Sequence, residues 1–207
     1  MSVSDEQHGP LILDLDDFTG EDQQLNELDN LRQLFGEEFQ VTLFTIPGLC
    51  GLKRAETVRR EFPGMEMVPH GFLHPDAHEC SRWTGPMMEA YLDEIAGLLF
   101  EKGFKAPGWQ ITDPMYWVLL KRGYWVADQI YNRPRRPAEL LAYEVDEARK
   151  IHGHMGHLGG HNMNELTLIL PVLTSQVRFL EERRQAGLYK GTLFGLCGNE
   201  LRLTGEA

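Results

Sequence analysis

The sequence predicts an α/β fold of parallel strands and crossover helices, built as a small, distorted or incomplete (β/α) barrel. Three observations carry this reading. Short apolar runs of β character alternate with helical segments along the chain. No repeat or low-complexity stretch interrupts the alternation. The polar, metal-capable residues fall where strands end, which is where sites gather in parallel α/β folds. At 207 residues the chain fits one domain, taken as residues 1–207 with 1–9 as a flexible N-terminal segment.

Each element has a local signal. Leu11 to Leu15 is an apolar strand running into Asp16 and Asp17. Leu25, Leu28, Leu31 and Leu34 form a helical stripe within Gln23 to Leu34. Val41 to Ile46 is β-rich and is stopped by Pro47 and Gly48. An amphipathic helix from about Lys53 to Glu61 precedes a short strand, Met65 to Pro69. A longer loop leads to a helix over Pro86 to Lys102, with Gly103 as its stop. Phe104 to Pro107 is strand-like, and Asp113 and Pro114 open a helix that Gly123 closes. Tyr124 to Ala127 and Lys150 to His154 are further strands, followed by a helix from Asn164 to about Gln185 and a strand-like piece from Thr192 to Leu196.

Composition narrows the function. A formal net charge of −11 argues against a nucleic-acid partner, since phosphate backbones require clustered Lys and Arg. The one basic cluster, Arg133, Arg135 and Arg136 around Pro134, reads as a solvated loop or, less readily, as a seat for an anionic substrate group. No apolar run has the length of a membrane span, and Met1 to Pro10 lacks the features of a secretory signal. Cys50, Cys80 and Cys197 are irregularly spaced, which fits a reducing, cytoplasmic setting better than a disulfide framework. No sequence feature fixes an oligomeric state.

The chemistry-bearing residues form three groups. Asp14 and Asp16 share one face of an extended strand, with Asp17 opposite. Adjacent carboxylates favour a nearby cation, although a helix N-terminus rich in Asp is an equally good reading of this group alone. His70 and His74, four apart after a strand, converge on one metal if the segment turns helically. His78 continues the spacing, but Pro75 breaks such a helix, so His78 is a reserve ligand. His152, His154, His157 and His161 are half of the eight histidines, and they read either as part of a site or as a metal-scavenging loop.

Together these residues resemble the NodB-like polysaccharide deacetylases, carbohydrate esterase family 4 and its relatives. The motifs run in family order from Asp16 to His154. The motif T/S-F-D-D-G is similar to the segment ending Asp16, Asp17 and Phe18, with Phe18 in place of glycine. H-S/T-x-x-H is similar to His70 through His74. R-x-P-x-G resembles Lys105, Ala106, Pro107, Gly108 and Trp109, with Lys105 replacing arginine and the glycine one place early. An Asp- and Trp-containing motif resembles Tyr124 to Asp128, and L-x-H falls on the strand carrying His152 and His154, without its leucine.

The resemblance implies a NodB-homology barrel with Asp17, His70 and His74 on a divalent metal, Zn²⁺ before Co²⁺, Ni²⁺ or Mn²⁺. It implies Asp16 as general base, with Lys105 holding it. His154, or else His152, is expected as general acid, because both look into one cleft and His154 lies nearer the strand's carboxyl end. Gly108 is expected to supply an oxyanion N–H, and Trp109, Asp128 and Tyr131 to contact substrate. Trp125 reads at least as well as a core residue. The expected activity is hydrolysis of an N-acetyl group on a sugar or sugar conjugate. The alternatives are an idle carbohydrate- or metal-binding domain on the same fold, and a metal hydrolase of non-sugar amides.

Overall fold

The structure is a computed structural model, and it describes residues 11–35, 41–144, 150–155 and 193–194. In chain order the elements are β1 (Leu11–Phe18), α1 (Asp22–Phe35), β2 (Val41–Thr45), α2 (Pro47–Glu61) and β3 (Met65–Pro69). They continue with α3 (Gly85–Ile95), β4 (Gly103–Lys105), α4 (Asp113–Arg122), β5 (Trp125–Asp128), β6 (Ala142–Glu144), β7 (Lys150–His154) and β8 (Leu193–Phe194). Short 3-10 turns lie at Glu79–Arg82, Pro107–Trp109 and Ile130–Arg135. The expected helix over 164–185, His157, His161 and the N-terminal segment 1–9 lie outside the described residues.

Every strand pairing among the described residues is parallel. One sheet runs β3-β2-β1-β7, with β8 also on β1, and the other runs β4-β5-β6. A parallel bridge between His70 and Lys105 links the carboxyl ends of β3 and β4. The α/β architecture is therefore as expected. Closure into a barrel is not among the pairings of the described residues.

Strand alternation sorts the core into layers. Leu15, Leu43 and Met67 face helices α1 and α2, where they meet Leu28, Ala55 and Val58. Phe104 and Val126 face α3 and α4, packing with Met88, Leu92, Met115 and Leu119. On the opposite face Phe44, Val68, Trp125, Ala127 and Tyr143 form a third cluster. Tyr143 donates its hydroxyl to Asp14 at 3.4 Å across that face, so β6 and β1 meet there although they belong to different sheets. Gly103 lies beneath the Trp125 indole, which leaves no room for a Cβ.

Boundaries differ from expectation by a few residues at several elements, and β6 (Ala142–Glu144) corresponds to no expected strand. The α2 span is two helical pieces divided at Gly51, whose φ 64 and ψ 168 are not helical. The second piece is the helix expected from about Lys53, and the turn opened by Pro47, which has no N–H to leave unsatisfied, is added in front of it. Helix α3 ends at Ile95, well short of Lys102, so Gly103 opens β4 and does not cap a helix. Thr112 takes the N-cap position of α4, one residue before Asp113, with its hydroxyl turned to the Trp83 carbonyl, and the helix closes as expected on Gly123 in the left-handed region.

Candidate active site

Two backbone pairings assemble the site. Asp16 on β1 is opposite His154 on β7, and His70 is bridged to Lys105. Four strand ends thereby deliver Asp16, Asp17, His70, Lys105 and His154 to one cleft of about 230 Å³, completed by His74, Ala77, Ala106, Gly108 and Trp109.

Asp17 arrives there through a bulge. Between Leu15 and Phe18 the β1 register against β2 slips, and three steps on β1 match two on β2. Asp17 takes up φ 64 in this bulge. Simple alternation placed it opposite Asp16; the extra residue turns it into the same cleft. Gln24 on α1 fastens the irregularity. Its amide donates to the Asp17 carbonyl at 3.0 Å and accepts from the Thr19 and Gly20 N–H groups at 2.8 and 3.1 Å.

The segment from His70 to His74 is not helical. Gly71 at φ 61 and His74 at φ 48 turn it into a tight loop. The two imidazoles still converge, with ring centroids 4.9 Å apart. Their Nε2 atoms lie 3.7 and 3.4 Å from Asp17 Oδ1, which is buried and accepts no hydrogen bond. His70 donates from Nδ1 to the Lys105 carbonyl at 3.0 Å, so its Nε2 carries the lone pair. Burial holds the His70 pKa down at about 4, so the ring is neutral near pH 7. An acceptor nitrogen and an acceptor oxygen thus face each other with no proton between them. Asp17, His70 and His74 offer ligand atoms that all lie within 4.8 Å of one another. This donor set fits a divalent metal.

The second oxygen of Asp17 accepts from His154 Nδ1 at 3.3 Å. Burial opposes ionisation of Asp17, but the His154 bond and the adjacent His70 and His74 outweigh it and bring its pKa below the usual 3.8. The same bond raises the His154 pKa above 6.5.

Lys105 is 1% exposed and places Nζ 2.6 and 2.7 Å from the two Asp16 oxygens. It also lies 3.9 Å from Asp14 and 4.4 Å from the ring centroids of Phe44 and Trp109. Two buried carboxylates and two aromatic faces therefore surround one ammonium.

Asp128 and Tyr131 are not among the residues lining the cleft. Asp128 is 1% exposed and accepts from Tyr116 Oη, Asn132 Nδ2 and Arg136 Nη1 at 2.6, 2.7 and 3.4 Å, a knot that ties β5 to α4 and the following turn. Tyr131 stands on the exterior, 60% exposed. The basic cluster is partly spent in the same region, because Arg135 pairs with Asp113 and Arg136 with Asp128. His152 sits on β7 opposite Asp14 in the backbone register. Glu79, whose carboxylate accepts from the Phe72, Leu73 and His74 N–H groups at 3.0, 2.9 and 3.0 Å, had no sequence signal pointing to it.

The chain has the fold of the family 4 carbohydrate esterases, in line with the motif resemblance. It matches a peptidoglycan N-acetylglucosamine deacetylase with TM-score 0.56 and 15% identity, over 90% of this chain and 86% of that one. It matches an acetyl xylan esterase from Clostridium thermocellum, solved with a cobalt ion, with TM-score 0.58 and 15% identity over 93% and 90% of the two chains. A family 4 pseudoenzyme, solved as a mutant with restored activity, matches with TM-score 0.54 and 11% identity over 92% and 66%. No protein-family model and no curated protein matches the sequence. No helix among the described residues is long and apolar enough to cross a membrane.

Proposed function

We propose that this protein is a metal-dependent hydrolase that removes the N-acetyl group from an N-acetylated sugar or sugar conjugate in the cytoplasm. The observation that carries the reading is Asp17 Oδ1 facing two imidazole Nε2 atoms beside a second, Lys105-bound carboxylate. Asp17, His70 and His74 would hold the ion, Zn²⁺ by preference. When bound, it supplies Lewis-acid chemistry, polarising a carbonyl oxygen and acidifying water.

The chain's own groups do the rest. Asp16 takes the proton from the attacking water, and Lys105, bound to both of its oxygens, fixes that carboxylate in direction. His154, its Nδ1 turned to Asp17, donates from the other ring nitrogen to the departing amine. Gly108, exposed at the edge of the cleft, offers a backbone N–H to the carbonyl oxygen as charge builds there. Trp109 provides an apolar wall. A cleft of 230 Å³ is below the roughly 300–1,000 Å³ of drug-sized pockets, so the acetamido group enters while most of the sugar stays on the rim.

Acetate release from chitooligosaccharides or UDP-N-acetylglucosamine, with and without added Zn²⁺ or Co²⁺, tests this. Metal-dependent release supports the reading; metal uptake with no release from any acetamido sugar sinks it. That second result would favour a non-catalytic binding domain. The close grip of Lys105 on both Asp16 oxygens supports that alternative.

A further inference from the structure

The loop carrying both imidazole ligands is built around one carboxylate, and we infer that Glu79 is the positioning residue that sets the metal affinity of His74. The inference rests on the metal reading of Asp17, His70 and His74. Glu79 Oε2 accepts from the Phe72 and His74 N–H groups at 3.0 Å each, and Oε1 accepts from Leu73 N–H at 2.9 Å. Three successive N–H groups can converge on one anion only if the chain curls around it, and here the curl is made at Gly71 and His74. Gly71 has no space for a Cβ, which would collide with Glu79 Oε2.

The carbonyls of this loop are fixed from elsewhere. Tyr91 donates its hydroxyl to the Gly71 carbonyl at 2.8 Å, and Gly48 donates its N–H to the Phe72 carbonyl at 2.8 Å. His70 is separately tied to β4 through its ring. His74 has no ladder of its own and sits at φ 48, a conformation a histidine keeps only when its surroundings impose it. The Glu79 bond to its N–H, at 3.0 Å, holds the backbone at this residue. Glu79 thus acts on the ion through His74 and not by touching it.

The test uses the full chain and three variants, Glu79→Gln, Glu79→Ala and His74→Ala. Zn²⁺ affinity is read by calorimetry, ligand geometry by the visible spectrum of bound Co²⁺, and folding by circular dichroism and thermal melting without metal. Loss of an outer partner of a ligand weakens metal binding about 10–100-fold. Glu79→Gln keeps an oxygen for two of the N–H groups and is expected near the lower figure. Glu79→Ala is expected near the upper one, with an altered Co²⁺ spectrum and a folded apo state. If Glu79→Ala does not fold, Glu79→Gln alone decides. Wild-type affinity and spectrum in the folded Glu79 variants, with binding lost in His74→Ala, overturn the inference and leave the metal reading intact. No uptake by the wild-type chain overturns both.

Discussion

The Lys105 ammonium bridges the two oxygens of Asp16 inside a sheath formed by Phe44 and Trp109. Burying this charge is tolerable because it is met at both carboxylate oxygens. Replacing Lys105 by Met leaves Asp14 and Asp16 buried without their cation. Chemical denaturation is expected to show a loss of about 3–5 kcal/mol, the scale for a broken buried pair. A change under 1 kcal/mol would show that the pair is not the countercharge it resembles.

Asp16→Asn keeps the volume of the side chain but cannot accept a proton. Metal content after dialysis should stay at the wild-type level while turnover falls by at least about 10²-fold. Normal turnover in the loaded variant would transfer the base role to another group, with Asp14 to be tested next.

His154→Ala is expected to keep metal and lose about 10²-fold in kcat, together with the fall in kcat on the alkaline side that a protonated His acid produces. An unchanged pH profile would remove β7 from the proton path.

Gln24→Leu tests the bulge. The amide serves two N–H groups and one carbonyl, so its removal strands buried backbone groups, at about 1–3 kcal/mol for each one left unpaired. Loss of stability together with metal binding is the expected result; loss of neither would show that Asp17 holds its conformation unaided.

Cys50 is 3% exposed, and burial lifts its thiol to about 12 from 9.0. The thiol is an acid whose folded pKa is raised, so its contribution to stability is complete below pH 9 and is lost as the pH climbs toward 12. Alkylation of the native protein at pH 8 should therefore be far slower than in urea. Equal rates would place the thiol at the surface.

Much of the parallel α/β order was legible because most strands are short apolar runs and each helix has a stripe or a Gly/Pro boundary; β6, only Ala142–Glu144, is too short and mixed to give such a signal. Asp16, Asp17, His70, His74 and Lys105 were legible by type and position at strand ends. Their geometry was less so. Alternation placed Asp17 opposite Asp16, and only the slip against β2, fixed by Gln24 from another element, reverses this. Helical spacing suggested how His70 and His74 meet, but a loop around Glu79 brings them together. The motif resemblance offered Asp128 as a substrate residue; Tyr116 on α4, with Asn132 and Arg136 after β5, engages its carboxylate in the interior instead.

Asp17 is held in left-handed backbone geometry, which burdens an L-residue by roughly 1–2 kcal/mol and glycine hardly at all. The most relaxed residue for this bulge is therefore one with no carboxylate. Selection for thermal robustness alone would drive position 17 toward glycine, leaving the sheet intact and the chemistry erased. A library of this protein screened first for heat resistance and then for turnover should show the two properties parting company at this position, and at His74, which shares the positive φ.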